Sequence, residues 1–445
     1  MKVQAPMAAA GAPRLLRGRV TRAFGLRLVL VGVNLATAVI LARLLGPERY
    51  GIYVFAISVL AIVALPGQAG VPLVMVREVA FRMSDGDPAG ARAVSLRLGR
   101  LVLGYGALVG AGVAGFAGVS GVLHGEEQQV FLWVGALLPA FILLPAIGAG
   151  LRARDHLVAG QGVETLLRPT IFLALLAAAL ALGRAPDAGQ AMALHALGAG
   201  LGAAAAMALQ RRLMPPDATP AAPPPAIGPL LASVAPFTVI AGVQLILAKT
   251  DIVMLRALLG PVEVGHYQVA LQWANLALIA HQAVLMVTGP SIARTHRAGD
   301  RAGLQEVLTL AARLVLLGAV PVVLVLALAG PSLIAASFGA AFAPAYGALC
   351  VLLAGRLTIA SFGAVVQLAR MLGWERPMVA LIGAAALLNL GLNAALIPGY
   401  GIIGAAIASI TADLAWKTAL VGLAWRRLGL VSFPVGGRGA AGEVG

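Results

Sequence analysis

Leu44–Ala56 reads LLGPERYGIYVFA, and Leu258–Ala270 reads LLGPVEVGHYQVA. The two segments share Leu-Leu-Gly-Pro, a glycine four residues after the proline (Gly51, Gly265), a tyrosine two further on (Tyr53, Tyr267) and a closing alanine. Proline cannot continue the helical backbone ladder, so each Gly-Pro ends one helix, and Gly-x-Tyr opens a return helix. The tyrosine is expected to act as an aromatic anchor at the membrane interface. Both segments fall between the first and second apolar stretch of their half of the chain, which marks them as copies of an internal repeat.

Outward from these turns the chain is apolar. Of 445 residues, 60% are hydrophobic and 11% charged, and the mean hydropathy is +0.94. Soluble domains carry about 25% charged residues, so there is too little polar surface here for a water-facing globule. A spanning helix takes ~20 apolar residues, and the length allows roughly twelve. The apolar runs lack the alternation of a barrel strand, so the expected fold is an all-α polytopic membrane protein. Spans are placed near 23–45, 50–75, 97–121, 130–151, 162–183, 189–209, 231–259, 265–288, 307–329, 346–371, 377–397 and 402–424.

The organisation follows from the gaps. Residues 1–21 read as a disordered basic arm and 428–445 as a flexible tail. The Pro-rich stretch 211–229 (RRLMPPDATPAAPPPAIGP) reads as a cytoplasmic linker in extended geometry, joining six-helix lobes over 22–210 and 230–427. The first apolar stretch is too long for a signal-peptide core. Each lobe has an even number of helices, so the copies share one membrane orientation. Parallel repeats of this kind put a binding site between the lobes near the midplane.

Arginines sort by loop. Arg77, Arg82, Arg92, Arg97, Arg100, Arg152, Arg154, Arg211, Arg212, Arg294, Arg297, Arg301, Arg370, Arg376, Arg426 and Arg427 fall on the even side, against Arg49, Arg184 and Arg256 on the odd side. The positive-inside rule then puts both termini in the cytoplasm. Topology thereby accounts for the formal charge of +15, and no nucleic-acid partner is implied. A single cysteine, Cys350, excludes a disulfide framework, and the six histidines lack zinc-site spacing. No cofactor or metal is expected.

LARLLGPERYGIYVFAISVLAI, KTDIVMLRALLGPVEVGHYQVA, SFGAAFAPAYGALCVLLAGRL and IPGYGIIGAAIASI resemble the polysaccharide-biosynthesis, O-antigen-type oligosaccharide flippases. Their superfamily also holds multidrug and toxic-compound extruders and the lipid II flippase. The resemblance runs from about Arg22 to Arg427. It implies two lobes arranged as a V, alternating access, and an undecaprenyl-diphosphate-linked oligosaccharide as cargo in the bacterial inner membrane. A polysaccharide polymerase and export machinery would be further partners. Asp251 matches the family position at which the seventh helix carries an acid, as a cavity or packing residue.

An ionisable group at the bilayer centre costs about 2.5–3.5 kcal/mol on insertion scales, so it needs a cavity or a partner. The candidates are Arg27, Lys249, Asp251, Arg313, Arg356, Asp413 and Lys417. At 1.5 Å per residue, Lys249 and Arg356 lie ~15 Å from the outer ends of their helices, near the midplane. Arg27 and Arg313 lie within snorkelling distance of the cytoplasmic surface. Asp413 and Lys417, at i and i+4, are placed to neutralise each other. A diphosphate calls for fixed cations, with Arg356, Lys249 and Arg27 the leading candidates. Asn34, Gln68, Gln244, Gln272 and Asn275 either line a sugar-accepting vestibule or tie helices together.

The expected function is therefore that of a flippase without covalent chemistry. A cation-coupled drug exporter would need an acidic cavity, and a glycosyltransferase or polymerase would need acid–base residues gathered in a large outer loop.

Overall fold

The computed structural model describes residues 12–213 and 226–434. Among them the chain forms helices and no strands. α1 (Ala12–Val63) leads through a π-helical turn (Pro66–Gly70) into α2 (Val71–Ser84), followed by α3 (Pro88–Val119), α4 (Gly125–Arg152), α5 (Leu157–Thr165), α6 (Leu167–Ala181) and α7 (Ala188–Leu213). The second half comprises α8 (Ile227–Leu258), α9 (Pro261–Ala274), α10 (Leu278–Arg297), α11 (Arg301–Ser337), α12 (Ala345–Ser361), α13 (Val365–Met371) and α14 (Glu375–Leu428).

Six of these helices are long and apolar enough to span a membrane, and four bent pairs reach the same length and composition when each is counted as one span. Two of the six are double. α1 has 52 residues and α14 has 54, whereas a straight helix of about 50 residues would reach ~75 Å against a ~30 Å hydrocarbon core. Each is broken at a glycine outside helical geometry, Gly46 (φ 69°) and Gly401 (φ 57°). This brings the crossings to twelve and makes the chain a multi-pass membrane protein. Both ends of the described chain lie on one face, called here the terminal face; the Gly46 and Gly260 turns lie on the opposite, distal face.

The two repeat segments pack on each other. A Cβ at Gly51 would overlap the carbonyl oxygen of Pro261, and one at Gly265 would overlap the carbonyl oxygen of Pro47. The relation is reciprocal, as parallel repeats require, and the closeness is possible only without side chains. Other distal contacts join the halves. Arg256 Nη2 donates to both carboxylate oxygens of Glu127 at 2.7 and 2.9 Å. Arg43 donates to the carbonyls of Ala336 and Ser337, and Tyr50 meets Phe342 edge-on at 6.0 Å. Nearer the terminal face, Gly70 of the π-helical turn packs against Val234 and Thr238 of α8.

Within the first half, α4 is the central helix. Gly110 on α3 and Gly135 on α4 would each, with a Cβ, strike the other's carbonyl, and so would Gly148 and Gly160 on α4 and α5. Small residues thus bring helices together where lipid offers no hydrophobic drive.

Several expectations need correction. α1 already begins at Ala12, inside the stretch read as a disordered arm, because Arg14-Leu15-Leu16-Arg17 are good helix formers that continue the span. The tail is docked up to Pro434. Gln305 of α11 exchanges two hydrogen bonds with the Val431 backbone, at 2.7 and 2.9 Å, and Ser432 Oγ donates to the Phe362 carbonyl at 2.6 Å. Residues 1–11 and 435–445 and most of the expected linker lie outside the described residues. Tyr53 and Tyr267 are no interfacial anchors, being only 6% and 0% exposed. The prolines act differently from span to span: Pro66 opens the π-helical turn Pro66–Gly70, whereas α4 and α11 run through their prolines.

The crossing makes a direct prediction. Gly51→Val and Gly265→Val should lower the melting temperature of the purified protein by several degrees, since overpacking costs about 1–3 kcal/mol. Gly112→Val, where no neighbour lies within 4 Å of the added carbon, should leave it unchanged.

Candidate functional site

A cavity of about 590 Å³ lies between the halves. Its walls come from α1 (Asn34, Tyr50, Tyr53), α4 (Phe141), α6 (Arg168, Phe172), α7 (His195), α8 (Lys249) and α9–α10 (Gln268, Gln272, Asn275, Gln282). The Gly51–Pro261 crossing and the Arg256–Glu127 pair close it on the distal side.

On the first-half wall, a stacked cluster surrounds a histidine. Phe172 lies parallel to the His195 ring at 4.4 Å between centroids, with Tyr53 stacked at 6.2 Å. Tyr53 Oη is 2.7 Å from His195 Nδ1, and Arg168 Nη1 is 3.4 Å from Nε2. A guanidinium only donates, so Nε2 accepts. Nδ1 then carries the proton and donates to Tyr53, whose own hydroxyl proton is left for the cavity. The Arg168 guanidinium carbon sits 4.2 Å over the Phe141 ring. This orients a cation without neutralising it.

Opposite stands Lys249. Among the described residues neither Lys249 nor Arg168 forms an ion pair with an acid. The cavity therefore holds two uncompensated cations, one from each half, together with amide and hydroxyl groups and flat ring faces. Such a lining suits a phosphorylated, hydroxyl-rich molecule and opposes an organic cation. Among the described residues no group of three His, Cys, Asp or Glu side chains is placed to hold a metal.

The expected site residues separate into three groups. Asn34, Lys249, Gln272 and Asn275 line the cavity together. Arg356 stands behind it: its Nη2 donates to Asn275 Oδ1 at 3.3 Å, and its Nη1 lies 3.6 Å from Asp413. Asp413 also accepts from Lys417 Nζ at 2.6 Å and Trp416 Nε1 at 2.9 Å. The expected Asp413–Lys417 pair is present, but it takes in Arg356 as well. Gln68 belongs to the π-helical turn and Gln244 to an exposed face of α8, and neither lines the cavity. Arg313 donates to the Pro434 carbonyl at 2.8 Å. Arg27 lies on α1, and its side chain is outside the described residues.

Asp251 is a packing residue, 3% exposed within the second half. Asn389 and Asn393 of α14 donate to its Oδ1 at 3.2 and 2.8 Å, and Tyr267 donates to Oδ2 at 2.8 Å. Ser409 adds a fourth, short hydrogen bond to Oδ2. Four donors on one carboxylate tie α8, α9 and both arms of α14 together.

Arg168 and His195 are absent from the sequence-based candidates. Arg168 falls near the start of the fifth apolar stretch, where an arginine reads as an interfacial flank. The break at Leu166 between α5 and α6, bent by 48°, instead aims α6 into the centre. An Arg-Pro pair inside LLRPTIFLALL was the available signal.

A family model described as "Polysaccharide biosynthesis protein" matches residues 26–296. No curated protein matches the sequence. Among solved structures, the chain is similar to an inward-facing multidrug resistance MATE family transporter of the MOP superfamily, with a TM-score of 0.74, 14% identity, and coverage of 89% of this chain and 94% of that one. It is also similar to the lipid II flippase MurJ in an inward closed conformation, with a TM-score of 0.71, 13% identity, and coverage of 90% and 87%. An outward-facing MATE family transporter scores 0.64 at 13% identity, with coverage of 90% and 92%.

Asp251→Leu should destabilise the protein far more than Lys249→Met in thermal unfolding. The first removes the acceptor shared by four donors, at roughly 1–3 kcal/mol for each group left unsatisfied, and the second breaks no hydrogen bond among the described residues. Equal melting temperatures for the two variants would contradict the packing assignment of Asp251.

Proposed function

Because this chain belongs to the polysaccharide biosynthesis protein family, we propose that it is a flippase, carrying a polyprenyl-diphosphate-linked oligosaccharide from the inner to the outer leaflet of a bacterial inner membrane. The observation that carries this reading is the pair Arg168 and Lys249, contributed by opposite halves to one cavity and left without acidic partners among the described residues. A diphosphate supplies the missing negative charge. The free Tyr53 hydroxyl, Asn34, Gln272 and Asn275 then meet sugar hydroxyls, and the Phe172–His195 stack offers an apolar face. No bond needs to be made or broken, so the work is reorientation alone.

The arginine-rich terminal face is cytoplasmic in this reading, in keeping with the positive-inside rule. The distal seal is then the outer gate, formed by the Gly51–Pro261 crossing, Arg256–Glu127 and Tyr50–Phe342. Transport requires these contacts to part while the terminal ends of α2 and α8 close, the rocking expected of parallel repeats around a midplane site.

The test is translocation in proteoliposomes of a fluorescent polyprenyl-diphosphate oligosaccharide, scored by its accessibility to an external quencher. Arg168→Gln and Lys249→Met should each slow translocation about tenfold or more, because a charge-assisted hydrogen bond contributes ~1.5–3 kcal/mol. Their melting temperatures should stay near that of the unaltered chain. Wild-type rates in both variants, or efflux of organic cations by the unaltered protein, would sink the proposal.

A further inference from the structure

A second pocket, of about 330 Å³, opens among α2, α3, α4 and α7 on the terminal side of the first half. It shares no residue with the central cavity. Arg92 and Arg100 of α3 and Arg211 of α7 stand around it, and Leu96, Leu103, Leu143, Ile147 and Met207 form its wall. On α3 the lining positions 92, 96, 99, 100 and 103 recur every three or four residues, so a single helical face carries both the arginines and the leucines.

Two properties decide what such a pocket takes. First, Leu96, Leu103 and Met207 are 42%, 43% and 39% exposed while lining it. They sit on spanning helices, so the apolar wall continues onto surface that faces acyl chains. Second, the three arginines have no ion-pair partner among the described residues, and three acids of the neighbouring segments are engaged elsewhere: Asp87 with Arg82, Glu164 with Arg152, Glu78 with Arg77. The positive charge is crowded as well. The Arg154 guanidinium, in the loop after α4, is held below its ordinary range by burial and further by Arg92. A guanidinium cluster at the head of an apolar groove matches a phosphate joined to a hydrocarbon chain. A soluble phosphate would satisfy the arginines and leave the groove unused.

We propose that this pocket binds an anionic phospholipid of the adjoining leaflet, its phosphate among Arg92, Arg100 and Arg211 and one acyl chain along Leu96, Leu103 and Met207. The bound lipid wedges between α3 and α7 at the end of the first half that must move if the lobes rock.

The test uses the full chain purified in detergent and probed with phosphatidylglycerol, with phosphatidylcholine as the neutral lipid and inorganic phosphate as the soluble anion. Retained lipid is counted by native mass spectrometry. Arg92→Gln/Arg100→Gln/Arg211→Gln should weaken phosphatidylglycerol binding on the order of a hundredfold, from about fivefold for each arginine near an anionic headgroup. Arg212→Gln/Arg297→Gln/Arg301→Gln, which removes three exposed arginines of the same face outside the pocket, should leave binding intact. Leu96→Trp, which blocks the groove and keeps every charge, should also release the lipid. It decides the matter if the triple pocket variant fails to fold. Equal loss in both triple variants would reduce the effect to diffuse surface charge and overturn the site. Unchanged retention in Leu96→Trp, or displacement of the lipid by millimolar phosphate, would overturn the lipid as occupant.

Discussion

The crossing at which Gly51 faces the Pro261 carbonyl and Gly265 faces the Pro47 carbonyl fixes where every other group stands. Lipid is as apolar as leucine, so helices in a membrane are not pressed together by a hydrophobic drive; close backbone contact between small residues has to hold them. Here the same six-residue Gly-Pro-x-x-x-Gly turn supplies both the bend that starts a return helix and the bare backbone that lets the two return helices touch. Because the two copies meet reciprocally, the axis relating the halves passes through the contact. The cavity beside it is lined from both halves, by α1, α4, α6 and α7 on one side and α8 to α10 on the other.

Equivalent positions acquire different chemistry around that axis. Tyr53 and Tyr267 occupy the same place in the repeat and are both buried, yet Tyr53 bonds to His195 on the cavity wall, whereas Tyr267 bonds to Asp251 inside the second half. In the second half the buried charges are accounted for: Asp251 has four donors, and Asp413 is shared by Lys417, Trp416 and Arg356. These contacts tie α8, α9, α12 and α14 of that half together. Lys249 and Arg168 are the contrast, cations with no acid beside them among the described residues, held where the two units face each other.

The architecture was largely legible because hydropathy and turn chemistry are local properties. Twelve apolar stretches, the Gly-Pro turns and the repeat could be read residue by residue, and the helices follow them. The site was legible only in part, since depth along a span can be counted but the direction of a side chain cannot. Counting placed Lys249 at mid-depth of its span, and the side chain lines the cavity. The same count put Arg356 there too, without revealing that Asp413, 57 positions later in the chain, stands beside it. Arg168 escaped because the bend at Leu166 changes what its depth means, and Gln244 misled because its helix turns it away from the cavity. The docked tail was out of reach for a related reason: Val431 and Ser432 look like any chain end until Gln305 of α11 and the Phe362 carbonyl are brought next to them.

Like charges on opposite halves also bear on how such a cavity works. A sphere of 590 Å³ is about 10 Å across. Two cations at that spacing repel by on the order of 1–2 kcal/mol at an effective dielectric of 20. In an empty cavity the repulsion opposes any movement that brings the halves together around it, and it grows as they approach. An anion bound between the cations reverses the sign, since each half is then drawn to the same central charge. A diphosphate with its double charge does this for both sides at once, while a neutral sugar or an organic cation does not. In the proposed flippase, the arrangement that would select an anionic cargo is thus the same one that makes closure around an empty cavity unfavourable.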